Sequence, residues 1–152
     1  MPIDIAWLEE KVFQEKIDPA DARIIKKVTA VKSYKKGDTI INQGAAGGAL
    51  YLLYKGSVSI SCNQVLLASA GEAKLFGEIS FLNGELTSAT VTAESDCKIY
   101  MLTRNGYSEL MRENQGMVFA LFTYILKNTA NVVRKMNADH SVLQHYITGG
   151  RA

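Results

Sequence analysis

The sequence predicts a mainly β protein, an antiparallel sandwich or jelly roll of seven or eight short strands with helices at both ends. Three observations lead there. Apolar residues recur at every second position through the middle of the chain, from about residue 31 to 103. Turn-forming residues interrupt that alternation at about 8–12-residue spacing. On either side of this stretch the apolar period becomes that of a helix.

Residues 3–30 read as helical. Trp7, Leu8, Val12 and Phe13 recur at helical spacing, and Ile24, Ile25 and Val28 repeat it after a break at Asp18-Pro19. Asp18 suits an N-cap, Pro19 the first helical position and Asp21 the first turn, so two short helices joined at residues 16–18 are expected. Strands follow at 31–35, 39–42, 49–54, 57–61, 64–69, 89–94 and 97–103, each rich in Val, Ile, Leu, Tyr or Thr. Lys36-Gly37-Asp38, Gln43-Gly44, Lys55-Gly56, Cys62-Asn63 and Ser95-Asp96 mark the turns. The run Gly44-Ala45-Ala46-Gly47-Gly48 reads as a flexible surface connection. After Arg104, Tyr107, Leu110 and Met111 mark a short helix, and Val118 to Met136 a long one. In the long helix Val118, Leu121, Phe122, Ile125, Leu126, Val132, Val133 and Met136 form a wide apolar stripe. Half of it can cover the sandwich, which leaves the remainder for a lid or a partner helix. The expected organisation is a helical segment at 1–30, a β-roll at 31–104, helices at 105–136 and a tail at 137–152 too short for another domain.

Composition narrows the function. With 152 residues, 47% hydrophobic and 21% charged, the chain is long enough for one domain that buries roughly 68–70% of its extended surface. A net charge of +2 gives no basis for strong nonspecific nucleic-acid binding. The N-terminus lacks the features of a signal peptide, and no run reaches the length of a membrane span, so a cytoplasmic protein without membrane contact is expected. Cys62 and Cys97 read as buried free thiols. His140 and His145, the only histidines, sit too far round a helix to share a face, and no other metal-ligand spacing occurs. No serine or cysteine has a recognisable base partner, so an enzyme is not expected. Arg23, Lys26, Lys27, Lys32, Lys35 and Lys36 form an acid-free basic run that reads as a solvated face able to meet an acidic partner.

The chemistry concentrates between residues 76 and 90. Phe76-Gly77-Glu78-Ile79-Ser80-Phe81-Leu82-Asn83-Gly84 reads as a glycine-opened helical turn, and Thr87-Ser88-Ala89-Thr90-Val91-Thr92-Ala93 as the strand after it. Backbone N–H groups at such a turn suit an anion. Glu78 stands among apolar neighbours, and a buried acid needs either a ligand hydroxyl or a backbone partner. One acid, the hydroxyls of Thr87 and Ser88, and a cluster of amides fit a sugar phosphate better than a catalytic centre.

Taken together, Gly37-Asp38-Thr39-Ile40-Ile41, Gln43-Gly44, Tyr51-Leu52-Leu53, Gly56-Ser57-Val58-Ser59-Ile60, Phe76-Gly77-Glu78 and Ala89-Thr90-Val91-Thr92-Ala93 resemble the cyclic nucleotide-binding domain family over about residues 20–135. The resemblance implies an eight-stranded antiparallel β-roll with N-terminal helices, a phosphate-binding cassette and a long C-terminal helix. It implies cyclic AMP or cyclic GMP as a ligand rather than a cofactor. Glu78 matches the acid that accepts from the ribose 2′-hydroxyl. Gly77, Ile79 and Ser80 match the turn whose amides meet phosphate and ribose, and Ser88 a small or phosphate-touching position. Thr90 and the stretch from Lys127 to Arg134 fall where members touch or cover the base.

Three positions depart from the family pattern: Thr87 replaces an arginine, Leu86 a proline and Ala73 a glycine. A charge-assisted hydrogen bond contributes about 1.5–3 kcal/mol, so the absent arginine weakens a bound phosphate by an order of magnitude or more. Lys74 is the nearest cation in sequence, and otherwise reads as a solvated strand-end lysine. The expected function is a reversible sensor of a cyclic nucleotide or similar anion that acts on an unidentified protein partner and dimerises through residues 116–136. Two alternatives stand beside it: an interaction module with a degenerate pocket, and a pocket retuned for another small anion. DNA binding is not expected, because in regulators of this family a helix-turn-helix follows the long helix and none is present here.

Overall fold

The computed structural model describes residues 2–127. Helix α1 (Ile5–Leu8) passes into a π-helical turn at Glu9–Phe13, and α2 (Pro19–Val28) follows. The strands are β1 (Thr29–Tyr34), β2 (Thr39–Ile41), β3 (Ala49–Lys55), β4 (Val58–Cys62), β5 (Val65–Ala70), β6 (Leu75–Phe76), β7 (Thr90–Ala93) and β8 (Cys97–Thr103). Helix α3 (Glu78–Asn83) lies between β6 and β7, and α4 (Arg104–Glu113) follows β8. A further helix, α5, occupies residues 115–127. Two four-stranded antiparallel sheets face each other, one ordered β1-β8-β3-β6 and the other β2-β7-β4-β5. This is the eight-stranded roll that the turn spacing and the resemblance predict.

Alternation along β3 and β8 explains the layering. Tyr51, Leu53, Cys97 and Ile99 point between the sheets, where they meet Val58, Phe76, Val91 and Ala93. Leu50, Leu52, Tyr54, Tyr100 and Leu102 point the other way and meet the helices. Both faces of the first sheet are therefore buried, and Leu53, Val58 and Ile99 have no exposed surface. Each such side chain contributes about 1.5–3 kcal/mol by leaving water. The second sheet is covered on one face, and Val65, Leu66 and Leu67 of its edge strand β5 remain exposed.

Boundaries differ from the periodicity in places with clear causes. Strand β1 starts at Thr29, two residues early, because Thr29 and Ala30 pair with Leu102 and Met101. Strand β6 escapes an alternation test because it has only two residues, held by Tyr51 and Leu52 of β3. Asp18 occupies the N-cap of α2 with Pro19 after it, although its side chain makes no capping bond. Asn114 separates α4 from α5. Its N–H bonds the Leu110 carbonyl, and its Oδ1 accepts from the Met117 N–H, so one residue ends a helix and caps the next. Val132, Val133, Arg134, Met136, both histidines and the 137–152 tail lie outside the described residues.

A polar clasp fixes α1 to the helix-side face of the first sheet. Asp4 caps α1 by accepting from the Trp7 N–H at 3.0 Å, and it accepts from the Tyr54 hydroxyl at 2.6 Å. Its own N–H donates to the Tyr100 hydroxyl at 2.9 Å. The Trp7 ring stands edge-on to Tyr54 and Tyr100, which stack on each other at 4.8 Å. The Tyr54 hydrogen bond holds the Asp4 carboxyl below its ordinary range, and Asp4 in turn pushes Tyr54 up to about 12. Within the basic run, Lys27 reaches Glu109 and Glu113 of α4 at 2.7 and 3.5 Å, which ties α2 to α4.

Candidate functional site

The site is built around the two ends of α3. Strand β6 delivers the chain to Gly77, which takes the left-handed conformation at φ +76° as the N-cap. A Cβ there would lie 3.1 Å from the Tyr51 ring and 3.2 Å from the Ala49 carbonyl, so both the turn and the close approach call for glycine. The first bond of α3 runs from the Phe81 N–H to the Gly77 carbonyl. The N–H groups of Glu78, Ile79 and Ser80 come before that bond and have no carbonyl partner in the helix.

The loop between β2 and β3, read from sequence as a free connection, is stitched to this turn. The Thr87 N–H donates to the Ala45 carbonyl at 2.8 Å, and the Gly44 N–H donates to the Thr87 carbonyl at 2.8 Å. The Thr87 Oγ1 accepts from the Ala45 N–H and donates to the Asn42 carbonyl. Ala46 and Leu86 form an isolated bridge. Gly47 packs so closely on Ser80 that a Cβ would come within 2.2 Å of the Ser80 Cβ. Between this loop, Tyr51, Gly77 and Thr87 lies a cavity of about 160 Å³ with polar and apolar walls. A second cavity, about 80 Å³ and apolar, lies on the opposite face of β3 under α2, α4 and α5. Tyr51 lines the first and its neighbours Leu50 and Leu52 the second, so β3 lies between them.

The residues singled out by sequence divide into distinct environments. Gly77 and Thr87 line the same cavity. Phe76 is buried in the core and stacks on Tyr51 at 5.4 Å, so it supports the site from behind. Ser80 is buried, and its hydroxyl donates to the Leu86 carbonyl at 3.3 Å. Ser88 is exposed, while Ala89 and Thr90 are half-buried, and the Thr90 hydroxyl accepts from the Gln43 N–H. Ile79 lies in the first turn of α3. Glu78 opens α3 half-buried, and burial raises its pKa against the opposing effect of a hydrogen bond from its own N–H. Among the described residues no other group bonds its carboxylate. Lys74 is exposed on the turn before β6.

Sequence reading missed what four residues contribute. Arg104 donates to the Phe81 carbonyl at 2.5 Å and lies over the Phe81 ring. Asn42 and Gly47 belong to the stitched loop, for which the glycines gave the only signal. Tyr124 of α5 donates its hydroxyl to the carbonyl of Ala73, which has positive φ. Phe81 carries the site toward the C-terminal helices. It is buried against Leu50, Leu75, Leu102 and Ile125 and stands edge-on to Tyr107, which stands edge-on to Phe122. Among the described residues no cluster of His, Cys, Asp or Glu could hold a metal ion, and no helix is long and apolar enough to cross a membrane.

The family model described as the cyclic nucleotide-binding domain matches residues 31–114, which include all of the roll but the first two residues of β1. The chain belongs to this family. As a cyclic nucleotide-binding domain, it is 34% identical over 109 residues to the cAMP-dependent protein kinase regulatory subunit of Aspergillus fumigatus, covering 70% of this chain and 26% of that protein. It is 28% identical over 112 residues to the corresponding subunit of Hypocrea atroviridis, covering 74% and 24%. The chain thus spans about a quarter of the length of these relatives. Among solved structures, the catabolite activator protein of Thermus thermophilus superposes with a TM-score of 0.70 at 25% identity, covering 87% of this chain and 62% of that one. A cyclic nucleotide-binding domain from Methylobacillus flagellatus superposes with a TM-score of 0.77 at 17% identity, covering 86% and 79%, and shares the fold.

Proposed function

We propose that this cyclic nucleotide-binding domain is a sensor that reversibly takes a cyclic nucleotide, cyclic AMP or cyclic GMP, or a closely related phosphate ligand, and signals through α4 and α5. The observation that carries this reading is Glu78, a half-buried carboxylate whose hydrogen bonding among the described residues ends at its own N–H. A ribose 2′-hydroxyl would supply the missing donor. The amides of Gly77, Ile79 and Ser80 would meet the phosphate, with Ser88, Ala89 and Thr90 on the other wall. Phe76 backs this cup, and Thr87 closes its side. The reading is of binding, not catalysis, in a cytoplasmic setting.

The route outward runs from Phe81 through Tyr107 and Phe122, so a ligand that moved α3 would move the helices packed on it. A ligand must prefer one arrangement of these helices over the other to signal at all. Calorimetric titration with cyclic AMP and cyclic GMP tests the reading. Saturable binding of either is expected, and Glu78→Ala should weaken it at least tenfold, the equivalent of about 1.5 kcal/mol for a hydrogen bond to a charged group. No binding of either nucleotide overturns it.

One observation favours a second reading. The Thr87 hydroxyl donates its only proton to the Asn42 carbonyl, so this side chain offers a phosphate neither charge nor donor. A cup without nucleotide would leave an interaction module. Its natural surface is α5, where Phe119 and Leu126 are 75% and 67% exposed and stand two turns apart on one side. Homodimerisation through residues 116–136, seen by sedimentation equilibrium without any nucleotide response, would support that alternative.

A further inference from the structure

Arg104 occupies the junction where β8 ends and α4 begins, and from there it reaches two other parts of the molecule, the 44–48 loop and α3. Its backbone N–H donates to the Gly48 carbonyl at 3.1 Å. One guanidinium nitrogen donates to the Phe81 carbonyl at 2.5 Å and lies 3.5 Å from the Gly47 carbonyl. The guanidinium also lies over the Phe81 ring, 5.1 Å from its centre. Among the described residues it has no carboxylate partner, so its charge is directed at two carbonyl oxygens and an aromatic face.

Those carbonyls belong to the two walls of the cup. Phe81 is in α3, beyond the amides that open it, and Gly47 is the residue that packs against Ser80. Nothing else in the described structure bonds both walls to the first residue of the C-terminal helices. Arginine suits the task because its flat guanidinium can lie on the Phe81 ring while an N–H group at its edge meets the carbonyls, whereas lysine's ammonium is a compact charge with no plane to stack.

We propose that Arg104 is the positioning residue that holds α3 and the 44–48 loop at a fixed distance and links that distance to the start of α4. This rests on the reading of residues 76–90 as the ligand cup. Arg104 does not touch the ligand. It sets the width of the space the ligand enters, and any ligand-driven shift of α3 pulls on the base of α4 through it.

Hydrogen exchange on the ligand-free full chain tests this directly, with Arg104→Gln and Arg104→Lys beside wild type. In Arg104→Gln, amides 44–48 and 79–84 should exchange about tenfold faster while β4 and the Asp4 clasp keep their protection. Arg104→Lys should recover part of the protection in 79–84 and little in 44–48. The second arm titrates all three proteins with cyclic AMP, and Arg104→Gln should bind about tenfold more weakly with an unchanged melting temperature. Unchanged exchange in both segments overturns the proposal, as does a uniform rise across the whole chain. If wild type binds neither cyclic AMP nor cyclic GMP, the sensor reading fails, and the exchange result still decides what Arg104 does.

Discussion

Asp4 and Glu78 are both carboxylates at the start of a short helix, and both helices abut strand β3. Asp4 accepts from the Tyr54 hydroxyl and the Trp7 N–H, and its pKa is held down. Glu78 has its own N–H and no other partner among the described residues, and burial raises its pKa. The first is satisfied by the protein and serves the fold. The second bears part of the cost of leaving water without full compensation, which a folded chain tolerates where the site has another use. The contrast separates a structural acid from a candidate binding acid by what donates to them, not by residue type or by position on a helix.

Breaking the clasp should have the largest effect. Trp7→Ala removes the ring that stands against both tyrosines and should cost about 3 kcal/mol in urea unfolding. On the cup side, Thr87→Val keeps the shape but strands the Ala45 N–H and the Asn42 carbonyl, and should cost about 2 kcal/mol. If that variant unfolds like wild type, the stitched loop contributes nothing and the cup is looser than described.

Smaller effects sharpen the comparison through pH. Tyr54→Phe removes the donor that dominates the lowered Asp4 pKa and should cost about 1 kcal/mol at neutral pH. Because the folded pKa of Asp4 is depressed, its stabilisation is present above the ordinary carboxylate value near 3.9 and disappears as pH falls through the lowered one. The gap between wild type and Tyr54→Phe should therefore close on acidification. Glu78 has the opposite sign: its pKa is raised, so its contribution is intact below the ordinary value and lost as pH rises through the raised one. Glu78→Gln should gain about 0.5 kcal/mol at neutral pH and nothing near pH 4. Chemical denaturation of both variants at several pH values measures both trends, and parallel trends would erase the distinction between the two acids.

Much of the fold was legible in order along the chain. Alternation found the longer strands because a half-buried pleated surface needs a period of two, and the apolar spacing at Val118, Phe122 and Ile125 marked the buried side of α5. Glycine placement marked the turn at Gly77. Strand β6 was illegible because two residues carry no period. The run at 44–48 gave no hint that it is bonded to Thr87 and packed on Ser80, because contacts between residues some forty apart leave no local trace. Arg104 read only as the point where the roll gives way to helix, and only the fold brings it to Phe81.

The sequence by itself determined the two-sheet roll, which follows from local periods and turn residues, and its motifs carried the family resemblance that makes residues 76–90 the candidate site. Tertiary structure decided which hydroxyls are already engaged, which carboxylate lacks a donor and which arginine reaches the cup. Those are questions of hydrogen-bond partnership and desolvation, set by atoms brought together only when the chain closes on itself.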